Sequence, residues 1–113
     1  MIKLKRAYDA PSPQDGRRVL VDRIWPRGVS RDSAEIDEWM KEIAPSDDLR
    51  KWFGHDPALW DEFRARYFAE LDEEPELVAQ LREWADGHAL TLVYGARDTE
   101  HNNALALKQY LQR

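Results

Sequence analysis

Apolar and basic positions alternate from Ile2 to Tyr8, with Ile2 and Leu4 set against Lys3 and Lys5, which predicts a strand with one buried face. Asp9 to Gly16 collects turn formers and ends in Asp15-Gly16, so a loop follows. A link this short has no room for a crossover helix, which favours an antiparallel or irregular connection. Val19, Leu20 and Val21 then run unbroken within a second strand over 17–24, as expected where both faces are covered, and Pro26 ends the ladder for want of an N–H.

From Ser30 the period turns helical. Asp32 and Glu35 read as a capping box, and Ile36, Trp39, Met40 and Ile43 as one apolar stripe. Ala44-Pro45-Ser46 stops that helix and opens another, capped by Ser46 and ending near Gly54. Asp56-Pro57 begins a third, in which Trp60, Phe63, Tyr67 and Leu71 recur every three or four residues. Beyond an acidic hinge at 72–74, Pro75 opens a fourth that buries Leu77, Val78, Leu81 and Ala85, with Gly87 at its end. Residues 89–94 predict a last strand. Gly95-Ala96 after it leaves room for backbone or ligand to approach, and Asp98 or Thr99 caps a final helix facing inward through Ala104, Leu107 and Leu111.

This order predicts one α/β domain over residues 1–113, with about three mainly parallel strands packed against four to five helices. A chain of 113 residues holds a core without staples. The absence of cysteine removes disulfides, thiolate nucleophiles and Cys-ligated zinc. No signal-length or membrane-length apolar run occurs, so the expected compartment is the cytoplasm and no membrane partner is expected.

A net charge of −5 disfavours nucleic acid as the main partner, but the charge is uneven. Residues 1–31 carry eight Lys/Arg against three Asp, and residues 32–113 nine against nineteen Asp/Glu. Lys3, Lys5, Arg17 and Arg18 read either as part of a field that draws an anion or as solvated charges guarding a strand edge.

Both the second and the last strand run into a polar cluster: Asp22-Arg23-Ile24-Trp25-Pro26-Arg27-Gly28 and Gly95 through Asn103. In parallel neighbours these clusters share the C-terminal rim, where open α/β sheets bind ligands. Arg23 and Arg27 suit an anion clamp and Trp25 suits stacking on a planar ring, unless Asp22-Arg23 is a structural ion pair and Trp25 an aromatic that caps the core. Arg97, Asp98, Asn102 and Asn103 join the binding side, with Asp98 also read as a helix cap. His101, placed in the first turn of the last helix, would be held neutral there as a base or donor, with Asp22 and His55 as further candidates for proton transfer.

Arg50 to Asp56 reads as a loop able to fold over the rim, or equally as core aromatics beside a surface Arg50–Asp47 pair. No histidine spacing of the HxH or HExxH type occurs, so no metal and no cofactor is assigned.

The segments 19–28, 39–46, 49–57 and 94–104 together resemble the YeaO-like family, the short branch of domain of unknown function 488, over essentially the whole chain. The resemblance implies a small cytoplasmic α/β protein without an established activity. It also implies that longer members carry an Asp-Val-Arg run after the second strand and a Cys-His-Arg run after the last. Asp22 and Arg23 match the first run and His101 the second, while Glu100 stands at the cysteine and Asn102 at the arginine. A thiol mechanism therefore does not carry over to this chain.

Two functions follow. One is a hydrolase or group transferase acting on a phosphate-bearing or nucleotide-like small molecule, clamped by Arg23, Arg27 and Arg50, with Asp22, His101 or His55 moving the proton. The other is a non-catalytic module binding an anion, a nucleotide or a nucleic-acid end, with Trp25 and Trp52 stacking on bases.

Overall fold

A computed structural model describes residues 1–113. Its centre is a parallel four-stranded sheet made of β1 (Ile2–Arg6), β2 (Arg17–Leu20), β3 (Glu38–Trp39) and β4 (Leu90–Tyr94), in the order β1-β4-β2-β3. The last strand in sequence is thus central, pairing Leu92 with Leu4 on one side and with Val19 on the other. Five helices accompany it: α1 (Arg31–Ala34), α2 (Asp47–Phe53), α3 (Trp60–Asp72), α4 (Pro75–Ala85) and α5 (Asn103–Leu111). The fold is α/β, with four strands where the sequence pattern predicted about three.

Side chains of alternating parity divide the sheet. Val19, Val21, Leu90, Leu92 and Tyr94 meet Phe63, Tyr67, Leu71, Leu81 and Leu107 in the main core, on the face covered by α3, α4 and α5. Leu20, Val93 and Ala7 face the other way, under Trp25, Val29, Ile36 and Trp39. Val19, Leu20 and Val21 are accordingly all buried, as their unbroken apolar run predicted.

The first two strands are parallel, not antiparallel. They do not touch, because β4 lies between them, and residues 7–16 cross the second face with one short 3₁₀ turn at Pro13–Asp15 in place of an α-helix. Charge holds that crossing in place. Asp15 is buried and accepts from Arg18 Nη1 at 2.7 Å and from Lys5 Nζ at 3.1 Å, while Thr91 donates its hydroxyl to the Asp15 carbonyl at 2.7 Å. Lys3 reaches the Gln14 carbonyl, and Arg17 lies over the Trp84 ring. Lys3, Lys5 and Arg18 therefore fasten this face, while Arg17 packs against α4 on the opposite one.

The region 31–43 departs from the helix that its stripe predicted. Ser30, not Asp32, caps α1, which ends after one turn at Glu35 with a left-handed φ of 48°. The Asp37 N–H then donates to the Arg18 carbonyl and the Met40 N–H to the Leu20 carbonyl, making β3 an edge strand. Ile36 and Trp39 consequently cover the second face, while Met40 and Ile43 enter the main core. Arg31 lies over both Trp25 and Trp39, closing that side.

Downstream the predicted helices are present. The Ser46 hydroxyl accepts from the Leu49 N–H at 3.1 Å, and Glu70 of α3 takes both the Ser46 N–H (2.8 Å) and its hydroxyl (2.6 Å), tying α2 to α3. Phe63, Tyr67 and Leu71 form the buried stripe of α3.

Asp15→Ala leaves the guanidinium of Arg18 buried without its carboxylate and is expected to cost about 3–5 kcal/mol in urea unfolding. Burial pushes the Asp15 carboxyl up, but the Ser12 N–H, Lys5 and Arg18 outweigh it and hold it below 3.8. The stabilisation from this group is thus present above the ordinary carboxylate value and is lost as pH falls through the lower, folded one. Acid titration of wild type against Asp15→Asn should show that loss only in wild type.

Candidate functional site

Where β2 and β4 end side by side, their following residues fasten to each other. The Val21 N–H donates to the Val93 carbonyl, adding one more rung, and Asp22 comes next. Its Oδ2 accepts from the Gly95 N–H at 2.9 Å, and its Oδ1 from the Asn103 amide at 3.1 Å. The same Asn103 nitrogen reaches the Val21 carbonyl at 3.0 Å. Glycine at 95 matters here, because a Cβ built on it would lie 3.1 Å from Asp22 Oδ2 and 3.4 Å from Pro26 Cβ. The small residues after β4 do allow a close approach, and what approaches is Asp22.

A cavity of about 600 Å³ opens beside this clasp. Nine of the eleven residues expected at the site line it: Asp22, Arg23, Trp25, Arg27, Arg50, His55, His101, Asn102 and Asn103. Sequence positions more than seventy apart therefore meet at one hollow. Arg97 and Asp98 are not in its wall. Arg97 is exposed.

The lining residues differ in what they have left to offer. Arg23 donates from Nε to the Pro45 carbonyl and from Nη2 to the Ala44 carbonyl, both at 3.1 Å, so half of its fork fixes the 44–45 turn. Arg27 is exposed, and its carbonyl accepts from the Tyr8 hydroxyl. Arg50 is exposed and pairs loosely with Asp47 at 3.4 Å. Trp25 lines the cavity, yet its indole N–H is spent on the Val29 carbonyl and its ring packs edge-on to Trp39 at 5.4 Å under Arg31. It is a packed aromatic of the second core, not a free stacking face. Trp52 carries Arg66 on its ring and is outside the cavity. Asn102 is 2% exposed, and both ends of its amide are engaged, accepting from the Leu105 N–H and donating to the Asp98 carbonyl.

The last helix starts later than the sequence suggested. Asn102 caps it, so His101 precedes the cap and is not in the first turn. Asp98 closes the turn ahead of the helix by accepting from the Glu100 and His101 N–H groups, which are therefore not free for an anion. Its Oδ2 also meets His101 Nδ1 at 2.9 Å. The Glu100 N–H above all, and then His101, hold the Asp98 carboxyl below its usual value. This contact leaves His101 Nε2 as the ring's uncommitted nitrogen, with the ring edge-on to Trp60 at 5.5 Å.

Burial raises the Asp22 carboxyl above 3.8, against the lowering pull of the Gly95 N–H, the Asn103 amide and the nearby His55. His55 sits at a left-handed φ of 58° directly after Gly54, itself at 54°, so the loop leaving α2 turns back along the rim.

Tyr8 and Phe63 had no signal as wall residues in the chain alone, while Phe53 belongs to the 50–56 stretch already singled out. Tyr8, 49% exposed, reaches the rim because β1 neighbours β4, and for the same reason Arg6 donates from Nε to the Ala96 carbonyl at 2.8 Å. Phe53 and Phe63, ring centroids 4.3 Å apart, form an apolar wall. Strand order places Tyr8 and Arg6, whereas Phe53 and Phe63 arrive with the packing of α2 and α3.

Gly95→Ala presses a methyl group against the Asp22 carboxylate and is expected to cost roughly 1–3 kcal/mol in denaturant unfolding. In an NMR titration the Asp22 carboxyl should titrate above 3.8. Since the folded chain holds that proton more tightly than the unfolded one, the contribution of Asp22 to stability grows as pH falls through the raised value and is least at neutral pH.

The family model described as the inactive DUF488-N3 subclade matches residues 1–113. The uncharacterized protein YeaO of Escherichia coli (strain K12) is 42% identical over 111 residues, covering 98% of this chain and 96% of its own. Uncharacterized proteins of Mycobacterium bovis and of Mycobacterium tuberculosis (strain H37Rv) are each 40% identical over 110 residues, covering 97% of this chain and 92% of theirs. No solved structure matches. No helix is long and apolar enough to cross a membrane. With its full length matched and its relatives aligned nearly end to end, the chain belongs to the YeaO-like DUF488 family.

Proposed function

We propose that this protein is a non-catalytic module that binds a phosphate-bearing, nucleotide-like small molecule in the cavity at the ends of β2 and β4. The observation that carries this reading is the lining itself: Arg23, Arg27, Arg50, His55 and His101 surround a hollow with a single carboxylate, Asp22. Its volume of about 600 Å³ lies within the roughly 300–1,000 Å³ usual for small-molecule sites. Exposed arginines beside a concave, partly apolar wall suit a phosphate better than a hydrated surface does.

Binding without turnover is favoured over catalysis by two facts. The matching subclade is described as inactive. No hydrogen bond links Asp22 to either histidine; its partners are the Gly95 N–H and the Asn103 amide, so the candidate base and its proton partner are not coupled.

A hydrolase or group transferase is the second reading, and the contact between Asp98 and His101 supports it. A carboxylate on Nδ1 fixes the imidazole tautomer and leaves Nε2 facing away as acceptor or donor.

Calorimetric titration with ribose 5-phosphate should give saturable binding that weakens as salt is raised, and Arg27→Ala or Arg50→Ala should each lower affinity by about tenfold. Phosphorus NMR of the incubated mixture should recover the ligand unchanged. Product that forms with wild type but not with His101→Ala would reverse the choice between the two readings.

A further inference from the structure

Asp22 is the one acidic side chain in the wall of the cavity, and no salt bridge reaches it despite three arginines around the same hollow. Arg23 is drawn off by the Ala44 and Pro45 carbonyls, Arg50 is drawn toward Asp47, and Arg27 stands in solvent. The carboxylate is answered only by neutral donors, the Gly95 N–H and the Asn103 amide, one on each oxygen. Each oxygen therefore keeps a second acceptor position. A half-buried carboxylate with spare acceptors and no cation bonded to it is costly, His55 being near but not in contact, and the cost is relieved when a ligand supplies donors.

We propose that the ligand is bifunctional, pairing a flat ring that presents two adjacent N–H donors to the Asp22 carboxylate with a phosphate met by Arg27 and Arg50. The inference rests on the phosphate-binding reading above and narrows it to one chemical class. Two parallel N–H donors satisfy both carboxylate oxygens at once, which a single hydroxyl does not. A lone ammonium group, compact as it is, leaves most of a hollow of about 600 Å³ unfilled. Phe53 and Phe63, packed on each other in the main core, make the floor of the hollow apolar, which suits the edge of a planar head.

Guanine presents such an edge, an N1–H beside its exocyclic amine. Hypoxanthine keeps the N1–H and lacks the amine. Adenine sets its amine beside an acceptor nitrogen, which a carboxylate repels. Asp22 is thus the specificity-determining residue, and guanosine 5′-monophosphate is the simplest probe of the class.

The test is calorimetry at fixed salt with four ligands: guanosine, inosine and adenosine 5′-monophosphates and ribose 5-phosphate. With wild-type protein the guanosine nucleotide should bind roughly tenfold or more tightly than the inosine and adenosine nucleotides. In Asp22→Asn, confirmed folded by circular dichroism, the preference for guanosine over inosine should disappear. If ribose 5-phosphate binds but guanosine monophosphate binds no better than inosine monophosphate, the donor-reading role of Asp22 is overturned and phosphate binding stands. If none of the four binds, the phosphate reading itself falls and takes this inference with it. If Asp22→Asn does not fold, the ranking of the four ligands on wild type decides alone.

Discussion

Everything at the rim depends on the buried ion pair beneath it. Two parallel strands usually need a crossover helix between them, yet here ten residues suffice, because Asp15 is fastened from below by Arg18 and Lys5 and from the side by Thr91. That fastening lets β1 and β2 lie on either side of β4 and point the same way. Parallel strands place all their C-terminal ends on one edge, and only on such an edge can Asp22, Gly95 and Asn103 reach one another. Removing water from one carboxylate thus sets the stage for another.

The two carboxylates are treated in opposite ways by their surroundings. The Ser12 N–H, Lys5 and Arg18 hold the Asp15 carboxyl low against its burial, whereas burial pushes the half-buried Asp22 up against the pull of the Gly95 N–H, the Asn103 amide and His55. The first arrangement is what stability asks of a buried acid; the second leaves an unmet need for a partner. That asymmetry sets the rim apart from the crossing beneath it.

How far the chain alone disclosed this varies along its length. β2, β4 and the helices from Ser46 onward were legible because burial on one face writes a regular period, and Val19 to Val21 and the Phe63, Tyr67, Leu71 stripe are plain cases. Residues 31–43 were not. Ile36, Trp39, Met40 and Ile43 fall at helical spacing, but hydrogen bonds from Asp37 and Met40 to β2 claim the backbone and send the four side chains to two different cores. The meeting of the two polar clusters was legible, because a polar run directly after a buried strand has nowhere else to go. The division of labour within them was not. Asn102 looks as chemically able as Asp22, and only the coordinates reveal that a helix cap has claimed it; Asp98 and Trp25 admitted a structural and a binding role alike, and a turn and a second core have taken them.

Arg23 carries a mechanical consequence. Its guanidinium is shared between the hollow and the backbone oxygens of Ala44 and Pro45, immediately ahead of the serine that both starts α2 and grips Glu70 on α3. Two of its five N–H groups are committed in this way, and the other three have no protein partner. Loss of this side chain would free the turn that delivers Ser46 to Glu70, and the seam between α2 and α3 would loosen with it.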